Sequence, residues 1–171
     1  MLLQAELILA LAFPVAVSKP NQTKPQLVIM SPVWILCSRG DIGKLRGAIS
    51  RGEDINKGSG ENQTGLICAL RNGHNHVVEL LLAQPSLDLN SVNKDDRTAA
   101  HAAIEAGNVT GLRMLLREPR LTSVNARDRL GQTPLMNAVM QGRIECAREL
   151  LTVEGVDLET RLAFSLEEQA R

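Results

Sequence analysis

Apolar residues arrive along this chain in short bursts with polar segments between them. "VVELLLA" from Val77, "GLRMLLR" from Gly111 and "ECARELL" from Glu145 carry aliphatic side chains at helical spacing, and Pro85, Pro119 and Gly155 follow as breaks. Bursts of a second kind hold smaller residues: "SPVWILCSRGD" from Ser31, "TGLICALRNGH" from Thr64, "TAAHAAIEAGN" from Thr98 and "TPLMNAVMQGR" from Thr133. The leading Ser or Thr of each predicts an N-cap, because its side-chain oxygen can accept from a backbone N–H of the first turn. Pro32 and Pro134 sit next, where a helix tolerates the missing N–H. Gly40, Gly73, Gly107 and Gly142 predict the stops, since glycine enters the left-handed region at a helix end freely. Two short helices per unit follow, each below the roughly 12–15 residues that a lone helix needs, so they must stack.

The bursts repeat. The capping residues are spaced by 33, 34 and 35 residues, each glycine falls nine residues after its cap, and Asn56, Asn90 and Asn125 recur in "EDINK", "LDLNS" and "TSVNA". Polar stretches such as "SVNKDDR" and "NARDRLGQ" then predict turns or short hairpins between helix pairs. A tetratricopeptide array has a similar period, but it lacks the Thr-Pro-Leu start and carries large aromatics that are scarce here. "GQTPLMNAVMQG", "RTAAHAAIEAG" and "GHNHVVELLLAQPSLDLN" closely resemble the ankyrin repeat, and the resemblance covers about residues 31–161. Departures from its pattern are Trp34, Ile67 and Met136 at the histidine position and Ala99 at the proline position.

The expected fold is therefore all-α: an ankyrin-type solenoid of stacked helix pairs with hairpin tips. Units span about 31–57, 58–90, 91–125 and 126–160, and 161–171 resembles a partial fifth, with "SLEEQAR" keeping the Ser-to-Ala spacing of Thr133 to Ala138. Residues 1–30 form an apolar leader and a Pro-bearing linker, with 1–18 as a candidate signal peptide weakened by the lack of a basic start. That leader is a poor membrane span, since Gln4, Glu6 and Pro14 interrupt it.

The resemblance implies a non-catalytic module that grips a partner protein on its concave face, formed by the tips and first helices. The matching positions are Arg39, then Glu61, Gln63, Arg71 and Asn72, then Lys94, Asp95, Arg97 and Glu105, then Arg129, Leu130, Gln132, Met140 and Gln141. Their charge is slightly positive, and Arg97, Arg129 and Met140 are the expected anchors, with Arg143 and Arg148 on the opposite side.

Composition narrows this picture. Nineteen basic and 19 acidic residues leave no net charge, and aromatics are 2% of the chain, which argues against nucleic acid as a partner. Cys37, Cys68 and Cys146 form no close pair and read as buried thiols. His101 lacks a nucleophile nearby in the pattern, and the resemblance gives it a structural task of tying a turn to the next repeat. His74 and His76 lie two residues apart, which on a helix does not share a face, so no metal is expected. No cofactor is implied. The chain is expected to be a monomer in the cytoplasm, or secreted if the leader is a working signal.

Overall fold

The computed structural model describes residues 31–158; the leader, its linker and the partial fifth unit lie outside the described residues. Eight helices stand among the described residues: α1 Val33–Arg39, α2 Ile42–Ser50, α3 Gly65–Arg71, α4 Asn75–Leu82, α5 Ala99–Glu105, α6 Val109–Leu116, α7 Pro134–Met140 and α8 Ile144–Leu150. No strand occurs among them. The odd-numbered helices pack side by side as an inner row, each against its own even-numbered partner, and α4, α6 and α8 pack as an outer row.

Capping follows the sequence pattern in three units. The hydroxyls of Thr64, Thr98 and Thr133 accept from Ile67 N (3.4 Å), His101 N (3.5 Å) and Met136 N (3.3 Å). Pro134 opens α7 as expected. The first unit differs. Pro32 stays extended (φ −49°, ψ 145°) and its carbonyl takes the first helical bonds, from Ile35 N at 2.9 Å and Leu36 N at 3.3 Å. The helix thus starts one residue late, Pro32 is its N-cap, and no side chain caps it. Gly40, Gly73, Gly107 and Gly142 all have φ of 66–74°, the left-handed turn that leads into each outer helix.

Small residues let the rows approach. Ala48, Ala69, Ala102, Ala103 and Ala138 are completely buried, as are Leu45, Leu81, Leu112, Leu115 and Leu150 on the outer helices. Burial of each such leucine stabilises the stack by about 1.5–3 kcal/mol. Cys37, Cys68 and Cys146 are free and buried within this core. Burial pushes the Cys37 thiol up to about 12 and raises the other two.

Asparagines bind the units along their length. Asn56 donates to Ser86 O (2.8 Å) and accepts from Asp88 N (2.9 Å); Asn90 donates to Arg120 O (3.1 Å) and accepts from Thr122 N and Ser123 N. Asn125 repeats the arrangement with Gly155 O (2.7 Å) and Asp157 N (2.9 Å). The residue before each later outer helix also reaches back to a carbonyl near the end of the previous inner helix. His74 Nε2 bonds Ser38 O (3.0 Å), Asn108 Nδ2 donates to Leu70 O (3.1 Å), and Arg143 Nη2 donates to Glu105 O (3.0 Å). Three different side chains do one job, because the unmade bond of a helix-end carbonyl accepts any donor.

Candidate protein-interaction surface

The tips are built from one recurring device. Ser59, Asn93 and Asp128, each five residues ahead of a capping threonine, accept from two backbone N–H groups of their own hairpin. Three residues further on, Asn62 (φ 55°), Asp96 (φ 59°) and Gly131 (φ 74°) take the left-handed conformation that closes the turn. Neighbouring tips are tied through the backbone, with Lys94 N on Glu61 O and Arg129 N on Asp95 O, both at 3.0 Å.

An ionic network runs from unit to unit behind these tips. Gln63 Oε1 accepts from Arg71 Nη1 (3.2 Å), Arg71 Nη2 lies 3.7 Å from Glu105 Oε2, and Arg97 donates to Glu105 and, at 3.3 Å, to Asp128 Oδ2. Lys94 pairs with Glu61, which raises the lysine pKa through that hydrogen bond, and Arg129 Nε lies 3.6 Å from Asp96 Oδ2. Asp96 and Asp128 were not among the residues expected at this face. Adding them balances its charge, so the slightly positive surface expected from sequence is neutral once its partners are counted. Asp128 is also only 5% exposed, although it lies in the polar stretch "NARDRLGQ"; its carboxylate is the hairpin's internal acceptor.

The other expected positions divide by engagement. Asn72 donates to Ser38 O and Ser38 Oγ (3.0 Å each), Gln141 donates to Asn137 Oδ1, and the Gln132 carbonyl accepts from His101. Arg39 is exposed at the end of α1 and Asp95 is half-buried. Leu130 and Met140 stand 70% and 54% exposed. Arg97, expected as an anchor, has its guanidinium held between two carboxylates. Arg143, expected to face away, precedes α8 and is tied to the third unit through Glu105 O.

His101 is buried and its two nitrogens are assigned. Nδ1 accepts from Thr98 N (3.2 Å) and the Thr98 hydroxyl (2.9 Å), leaving Nε2–H to donate to Gln132 O at 3.1 Å. This requires the neutral ring, and burial accordingly lowers its pKa. Its role is to join the third unit to the fourth. His74 and His76 use Nε2 on Ser38 O (3.0 Å) and Gly40 O (3.1 Å), joining the second unit to the first.

Ankyrin repeats are matched by family comparison in three copies over residues 33–128 and again over 130–160. The chain belongs to the ankyrin repeat family. Ankyrin repeats are protein-interaction modules and are themselves non-catalytic. Part of this ankyrin region is similar to the NAD-capped RNA hydrolase NUDT12 of Macaca fascicularis and of Pongo abelii, at 35% identity over 81 residues. Those 81 residues are 47% of this chain and 17% of either relative.

One further residue of the ankyrin units escaped the sequence reading. Arg120 donates to Gln84 O, Pro85 O, Leu87 O and Leu82 O at 2.9–3.4 Å, closing the end of α4 from the following unit. A signal did exist for the tips, in the Ser59, Asn93 and Asp128 register, but none for Arg120, which has no counterpart in the other units.

Proposed function

We propose that this solenoid is a scaffold or adaptor that binds a partner protein across its concave side, on the tips and inner helices of the second to fourth units. The observation that carries the reading is the contrast within that side. Its second and third units are braced by an internal ionic network, while the fourth exposes Leu130 (70%), adjoining the weakly held Arg129, and Met140 (54%) at the end of its inner helix. Arg and Met are enriched where proteins meet, and a braced surface loses little entropy on binding. The buried free thiols accord with a reducing compartment such as the cytoplasm.

The test is affinity for a captured partner protein. Arg129→Ala, Leu130→Ala or Met140→Ala is expected to cost at least roughly 1 kcal/mol at one or more positions, as interface hot spots do. Arg148→Ala, at an exposed residue that pairs with Glu145 on its own helix at 3.5 Å, serves as the control and is expected to change affinity by less than about 0.5 kcal/mol. A loss with the control and none with the three others would move the site to the outer helices. A second reading, favoured by the similarity to a region of NUDT12, is that these repeats are the targeting portion of a longer enzyme. A transcript that continues the reading frame into a catalytic domain would establish it.

A further inference from the structure

Trp34, the one tryptophan of the chain, lies in the first turn of α1 in a register that elsewhere serves the stack. Its counterparts three residues past the caps of the second and third units, Ile67 and His101, are 1% and 0% exposed. Trp34 is only half-buried, and its indole N–H makes no hydrogen bond among the described residues. Ile67 shows that an aliphatic side chain fills this register, so packing alone does not call for an aromatic ring here.

The ring borders a cavity of about 380 Å³, lined by Pro32, Val33 and Trp34 at the start of α1 and by Glu53, Asp54 and Lys57 after α2. Ligand sites usually span roughly 300–1,000 Å³, so this one suits a small molecule or a single side chain. Both carboxylates keep an acceptor free. Glu53 Oε1 takes both bonds from Arg51, at 2.9 and 2.7 Å, and Asp54 Oδ1 takes the Asn56 N–H at 2.9 Å. Glu53 Oε2 and Asp54 Oδ2 have no hydrogen bond among the described residues, and the exposed Lys57 pairs with neither. An aromatic ring and two acidic oxygens attract the same kind of group, a weakly hydrated cation with apolar flanks. A neutral ligand of that shape would use the apolar wall and neither carboxylate.

We propose that this cavity binds an alkylated ammonium group, with Trp34 as its aromatic wall and Glu53 and Asp54 as its counter-charge. Such a head is carried by a free small cation such as choline and by a trimethylated lysine side chain of a partner protein. The site belongs to the first unit, so it is independent of the concave-side reading of the second to fourth.

Because the chain has a single tryptophan, its fluorescence reports on this cavity directly. Choline added to the full chain is expected to change that signal saturably, with a Kd of about millimolar, as suits so small a ligand. Neohexyl alcohol, the uncharged isostere with carbon in place of nitrogen, is expected to bind about five-fold more weakly, and equal binding would overturn the proposal. A pentapeptide carrying trimethyllysine separates the sources: tighter binding than choline assigns the site to a protein side chain, and equal or weaker binding assigns it to a free cation. No saturable response to either probe would overturn the proposal. Titrations followed by backbone amide shifts then test the residues. Trp34→Ile, which copies Ile67, is expected to lose about ten-fold in affinity with helix content unchanged by circular dichroism. Glu53→Gln and Asp54→Asn are each expected to weaken binding about three-fold, and Lys57→Ala to tighten it about three-fold. Unchanged affinity in Trp34→Ile, or weaker binding in Lys57→Ala, would overturn the proposal too.

Discussion

At the scale of single residues, His101 shows how much a side chain's task depends on its protonation. With Nδ1 accepting from Thr98 and Nε2–H donating to Gln132 O, a second proton has no acceptor and would face the Thr98 N–H. The folded pKa is therefore below the unfolded value of about 6.5. The unfolded chain binds the proton more readily, so this residue's contribution is fully present above about pH 6.5 and is lost as pH falls toward the lowered folded value. Met136 fills the same position in the fourth unit, where its sulfur accepts from Thr133 N at 3.3 Å. His101→Met therefore keeps an acceptor for Thr98 but removes the bond to Gln132 O and the titration. At pH 7.5 it is expected to cost about 1–2 kcal/mol in urea unfolding. The gap to wild type is expected to narrow by pH 5, and a gap that widens would contradict the assigned tautomer.

At the scale of helices, the ends decide which residues matter. Thr133→Ala removes a side-chain cap and is expected to cost about 1 kcal/mol, whereas Ser31→Ala, at a residue that caps no helix, is expected to stay within about 0.5 kcal/mol. Paired denaturation curves check both. Thr64, Thr98 and Thr133 were legible because a cap and its N–H are three residues apart, and the glycine stops were legible for the same local reason. Ser31 misled because Pro32 fits both the first helical position and an extended N-cap, and only its ψ separates them. The end of α4 was illegible, since the Arg120 guanidinium that closes it comes from the next unit, about 36 residues on. Arg120→Lys keeps the charge but loses the planar fork, leaving several carbonyls of Leu82–Leu87 without their donor. It is expected to cost about 2–3 kcal/mol, and a loss below about 0.5 kcal/mol would show that water replaces the guanidinium freely. The interaction surface was legible only as positions. Which of its charges remain available depended on partners in neighbouring units, and Arg97 lost its availability to Asp128.

At the scale of the molecule, each unit touches only its neighbours, so where the array is weakened governs how it unfolds. Asn90 joins the second unit to the third with three hydrogen bonds, and Asn125 joins the third to the fourth with two. Weakening the middle junction divides the four described units into pairs, and about three are needed for an ankyrin stack to stand. Neither half can persist, so Asn90→Ala is expected to lower the denaturant midpoint of a single transition while leaving its slope unchanged. Weakening the last junction leaves three units competent to stand. Asn125→Ala is thus expected to let the fourth unit open first, seen as a shallower or two-step transition and as faster amide exchange over Ile144–Leu150 than over Ala99–Glu105. The two asparagines are chemically the same and lose similar bonds, so any difference in the shape of their transitions comes from position in the array. Identical single transitions for both variants would mean that the fourth unit is coupled to the rest more strongly than its exposed Val139 and Ile144 suggest.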